Sequence, residues 1–168
     1  KCAGGCCGGK SLEVRLEFLV SRGGRAADHG LDYVPFVDDA DLATAAFKKA
    51  MSGEEVSKQE RDAYITHLLI ACAKMYKKYG VVMQVHYSCL LHPNARMFKR
   101  LGADTGFDMI AVPDASVTLS ILLSKLDATY SCPTTILYRL HPTALALLAP
   151  VLAPFHGCCL PCPLPLRF

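Results

Sequence analysis

The sequence predicts an α/β fold in which parallel strands alternate with helices. Segments with helical spacing of apolar residues alternate with short extended runs, in the order α-β-α-β-α-β, the pattern of βαβ units. The 168 residues are 52% hydrophobic, enough for one ordinary domain with a single core. The third observation is the strand-like run Val81-Val82-Met83-Gln84-Val85-His86-Tyr87-Ser88. Alternation puts Val81, Met83, Val85 and Tyr87 on one face and Val82, Gln84, His86 and Ser88 on the other. A parallel strand buried on both faces reads as a continuous apolar run. An amide, an imidazole and a hydroxyl on one face therefore point to chemistry there. His86 lies near the strand's C-terminal end, where a barrel of βα units gathers its catalytic groups.

In chain order, 11–22 is the first predicted helix, with Leu12, Leu16, Leu19 and Val20 on one stripe and Gly23-Gly24 as its stop. The small residues from Arg25 to Gly30 predict a strand and its exit, and Tyr33 to Asp39 a loop. Asp41 is the expected N-cap of a helix reaching Met51, with Gly53 as the break. Ser57-Lys58-Gln59-Glu60 has capping-box spacing and opens a helix to Tyr79, its predicted apolar stripe being Tyr64, Leu68, Ala71, Cys72, Met75 and Tyr79. After the polar-faced strand come a short helix (94–101), a loop (102–113), a helix with Leu119, Leu122, Leu123 and Leu126 inward, and a last strand (134–140). The expected organisation is a domain at 11–155 between two disordered tails, 1–10 rich in Cys and Gly and 156–168 rich in Cys and Pro.

Composition excludes several classes. A net charge of +3, with basic residues in pairs such as Lys48-Lys49 and Lys99-Arg100, marks no nucleic-acid surface. The longest apolar stretch, Leu145 to Phe155, is too short to span a bilayer and is interrupted by Pro150 and Pro154. The first ten residues lack the apolar core of a signal peptide, so a reducing, cytoplasmic location with free thiols is expected for the nine cysteines. The chain does not begin with Met, and a piece of a longer protein is the expectation. Cys159-Leu160-Pro161-Cys162 is a lone C-x-x-C without a second knuckle.

Taken singly, the polar residues are ordinary. A lone strand histidine is usually a satisfied core residue, and an Asp such as Asp28 at a strand end usually caps a turn. Arg96 with Lys99 and Arg100 reads as a solvated helix face. Their order along the chain changes the weight. Ala27-Asp28-His29-Gly30-Leu31-Asp32 resembles the S-D-H-x-L-D of the uronate (glucuronate) isomerases. Gln84-Val85-His86 matches their Q-x-H, Asn94-Ala95-Arg96-Met97-Phe98 their N-x-R-M-F, Leu101-Gly102-Ala103-Asp104-Thr105-Gly106-Phe107-Asp108 their L-G-x-D-x-G-F-D, and Thr135-Ile136-Leu137-Tyr138 their T-I-L-Y. The resemblance runs from about Leu12 to Phe155.

That resemblance implies a partial (β/α)8 barrel of the amidohydrolase superfamily, with about three of the eight strands. It implies an aldose–ketose isomerisation that interconverts D-glucuronate with D-fructuronate and D-galacturonate with D-tagaturonate, by proton removal next to a carbonyl and return at the neighbouring carbon. The hexuronate sugar is the implied partner. Carried over by position, Asp28 and His86 are catalytic expectations, and His29, Gln84, Asn94 and Arg96 are substrate-binding ones. The family also implies a divalent metal, zinc or manganese, held by an H-x-H pair and a distant aspartate, and no H-x-H occurs in this chain.

Other departures are Ser88 for the family's glycine, Leu91 for its carboxylate-clamping arginine, and His92-Pro93 for two asparagines. The expectation is a uronate isomerase segment that is inactive alone and associates with itself through exposed sheet edges. The alternative is a non-catalytic remnant, an interaction module whose cysteine tails bind metal or react as thiols.

Overall fold

Capping chemistry sets the helix ends. A computed structural model describes residues 6–103, 105–110, 115–139, 150–155, 157 and 159–161. Helix α1 is Cys6–Ser21, so it starts five residues before the expected Ser11 and takes in part of the segment read as a tail. Helix α2 is Ala40–Ser52, and its N-cap is Asp39, not Asp41: the Asp39 Oδ1 accepts from the Leu42 N–H at 2.9 Å. Its C-terminus closes on Gly53, in the left-handed region at φ 77°. Helix α3 is Lys58–Tyr79 and opens with the predicted capping box of Ser57 and Glu60. Helix α4, Ala95–Leu101, is capped by Asn94. Helix α5, Ser116–Ala128, buries Leu119, Leu122, Leu123 and Leu126 as expected.

Strands β1 (Ala26–Leu31), β2 (Val82–Tyr87), β5 (Thr135–Arg139) and β6 (Cys159–Pro161) form one parallel sheet in the order β1-β2-β5-β6. Spatial order thus follows chain order, as in a singly wound barrel wall. A doubly wound sheet instead reverses its order at a switch point. Two short strands, β3 (Cys89–Leu90) and β4 (Met109–Ile110), make an antiparallel pair in the excursion after β2, inside what was expected to be loop.

β6 corrects the expectation that the Pro-rich end forms no element. Among the described residues it pairs only with β5, and an edge strand tolerates Pro161 because its missing N–H needs no outer partner. Residues 1–5 and 162–168 lie outside the described residues, as do Cys2 and Cys162 with them.

The core lies on one face of the sheet. Met83, Val85, Tyr87 and Leu137 pack with Leu69, Ile70, Ala73 and Tyr76 of α3 and with the inward leucines of α5. On α3 the expected stripe is rotated. From Ala63 onward the buried positions are Ala63, Thr66, Leu69, Ile70, Cys72, Ala73 and Tyr76, while Tyr64 is exposed and Leu68 and Met75 are half-buried. The helix carries two apolar stripes, one for the sheet and one for its neighbours. Tyr64, Leu68 and Ala71 belong to the second and line a cavity of about 250 Å³ with Leu12 and Phe47 of α1 and α2.

Candidate active site

The strand registers decide which polar residues can meet. Parallel partners share a face, and Asp28 pairs with Gln84 and Gln84 with Ile136. One step further along, Gly30 pairs with His86 and His86 with Tyr138. These six residues form two rows on the face opposite the core, and none of them is in the core cluster. Two hydrogen bonds run along the same diagonal between the rows. The His86 Nδ1 lies 3.1 Å from the Asp28 Oδ1, and the Gln84 Nε2 donates to the Tyr138 hydroxyl at 2.7 Å.

An ionised carboxylate only accepts, so the Asp28 contact places a proton on His86 Nδ1. The other ring nitrogen, Nε2, lies over β1. A Cβ built on Gly30 would sit 2.5 Å from it, closer than any side chain allows. Gly30 is therefore a requirement of the site. Any other residue there displaces the imidazole from its place beside Asp28. The side chains of His86 and Asp28 are 28% and 53% exposed, so the pair faces solvent, with His86 in the C-terminal half of β2.

His29 does not join this group. It alternates to the core face, where its Nε2 is 3.0 Å from the Tyr76 hydroxyl. Burial lowers the His29 pKa, a shift that nearby Asp28 opposes and His86 reinforces. Burial also pushes the Tyr76 phenol well up, with neighbouring Cys72 adding to it.

Asn94 and Arg96 are likewise elsewhere. The Asn94 Oδ1 accepts from the Met97 N–H at 3.1 Å as the α4 cap, and Arg96 is exposed on α4. Among the described residues neither is hydrogen-bonded to the Asp28–His86 pair. Ser88 leaves the polar face altogether, because β2 ends at Tyr87 and Ser88 turns into the left-handed region at φ 70° and is buried. That conformation is why a glycine suits the position. His92 is also left-handed, at φ 56°, a region that Asn and His tolerate better than most residues. Its N–H donates to the Asp108 Oδ1 at 3.0 Å and its ring stacks on Phe98.

Two members of the site escaped the motif reading. Gly30 and Tyr138 both sit inside quoted motifs, yet only the inter-strand register shows that they flank His86. As for a metal, no three His, Cys, Asp or Glu side chains converge among the described residues. Asp28 and His86 are bonded to each other. The described donor set does not fit the implied metal, and no step through a metal follows from it.

Comparison with known proteins adds an independent line. The glucuronate isomerase family model matches residues 10–165, which extends the likeness past Phe155 and into the segment read as a tail. Uronate isomerases of Shouchella clausii and Clostridium perfringens are each 38% identical over 149 residues, 88% of this chain and 32% of theirs. The chain thus spans about a third of the length of these relatives. Among solved structures, the uronate isomerase of Thermotoga maritima superposes with a TM-score of 0.83 at 26% identity, over 91% of this chain and 34% of that one. The glucuronate isomerase of Caulobacter crescentus gives 0.79 at 24% identity, over 91% and 32%, a likeness of fold.

Proposed function

The chain belongs to the glucuronate isomerase family, and on that premise we propose that it carries one wall of a uronate isomerase active site. The parent reaction is the interconversion of D-glucuronate with D-fructuronate and of D-galacturonate with D-tagaturonate. The observation that supports this best is the Asp28–His86 pair at 3.1 Å on the face of the parallel sheet opposite the core. In this reading Asp28 orients the ring and His86 hydrogen-bonds the sugar through Nε2. Gln84 joins them from the same face. A divalent metal, where the family uses one, supplies Lewis-acid polarisation of the carbonyl; its ligands are not assigned to this chain.

Alone, the wall binds without turning over. Purified chain supplied with D-glucuronate and zinc or manganese is expected to form no D-fructuronate, and clear turnover overturns that part of the reading. Saturable binding of D-glucuronate or D-galacturonate, followed by NMR at His86, is expected. Absence of binding by either sugar acid overturns the site.

Two further readings have support of their own. β1 pairs on one side only among the described residues and contains no Pro, which favours self-association along that flank, checked by sedimentation. Cys72 and Cys89 are buried free thiols, which favours a reducing, cytoplasmic compartment. No helix among the described residues is long and apolar enough to cross a membrane.

A further inference from the structure

Tyr138 entered only as the last letter of a strand motif, yet it occupies the row of His86. Three facts converge on it. It is the register partner of His86, so the two side chains stand on neighbouring strands, about 5 Å apart at the backbone, on the same face. Its oxygen accepts from the Gln84 Nε2 at 2.7 Å, which fixes the phenol in direction. Its own O–H proton has no acceptor among the described residues. A half-buried phenol ordinarily finds a partner for that proton.

We propose that Tyr138 is a substrate-contacting residue, which donates its phenol proton to an oxygen of the sugar acid while Gln84 holds its own oxygen. The inference rests on the functional reading above and extends it to a residue that no motif assigned. A ligand lying along the row meets the His86 ring, which is laid over Gly30, and the Tyr138 hydroxyl in succession. Gln84 is then a positioning residue, acting through Tyr138.

The test is a titration of the full chain, ¹³C-labelled in Tyr and His, with sodium D-glucuronate. The Tyr138 Cζ resonance, which reports hydrogen bonding of the phenol, is expected to move with the His86 resonances along one saturation curve. Tyr138→Phe should weaken binding about three- to tenfold, the range for one hydrogen bond. Gln84→Ala should weaken it to a similar extent, and the double variant should lose little more than either single one. If His86 responds, Tyr138 Cζ stays still and Tyr138→Phe binds like the parent, the Tyr138 assignment is overturned and the functional reading stands. If neither residue responds in the parent chain, both fall. The Cζ measurement needs no variant, so a poorly folded Tyr138→Phe chain leaves the test intact.

Discussion

Asp28 and His29 are neighbours in the chain and belong to opposite worlds in the fold. One faces solvent with His86, and the other is half-buried beside Tyr76 on the core side. The same contrast runs along the whole sheet. Leu137 is 1% exposed among helices, while Ile136 before it and Tyr138 after it are half-buried on the open face. Strand alternation divides each strand into residues that hold the fold and residues free to do chemistry. A motif that spans consecutive strand positions therefore mixes the two.

The sharpest way to break this comparison is to truncate both faces. Leu137→Ala should lose about 3 kcal/mol in urea denaturation, as core leucines do, and Ile136→Ala less than about 1 kcal/mol. Equal losses would mean that the open face is packed.

The next test is acidity. Burial holds the folded-state pKa of His29 below its ordinary value, so the unfolded chain takes up a proton there that the folded chain refuses. The contribution of His29 is therefore complete above about pH 6.5 and is lost as pH falls towards the folded-state value. Urea midpoints measured down through that range should fall in the parent and fall less in His29→Gln. Parallel curves would place His29 on the solvent side.

Ser88→Gly should raise stability by about 1 kcal/mol, because it relieves a left-handed serine; thermal melts report it, and no gain would mean that the turn is unstrained. The smallest effect is expected at the pair itself. Asp28→Asn should change stability by less than about 0.5 kcal/mol, since the pair is solvent-facing. A larger loss would make Asp28 a structural residue.

Much of this was legible beforehand. The helix stop at Gly53, the capping box at Ser57 and the four inward leucines of α5 followed from local rules that need no tertiary partner. The face shared by Gln84 and His86 followed from a period of two. Register was not legible, because no local rule says which residue of β1 stands beside which residue of β2. For that reason the sequence does not show Gly30 and Tyr138 as neighbours of His86, whereas the period of two alone parts His29 from Asp28. The stripe of α3 was misplaced for a related reason. A helix with apolar residues on two sides does not announce which one meets the sheet. Asn94 was legible as the start of a helix, and that capping role is the one the structure gives it.

The agreement between spatial and chain order has a consequence for building. Each helix-and-strand repeat sits flank to flank with its predecessor, like staves added to a cask. Further repeats could be joined at the β1 flank without unthreading any existing connection. Grafting additional staves there is a route to enclosing the Asp28–His86 pair, and such a graft would keep the present four strands as they stand.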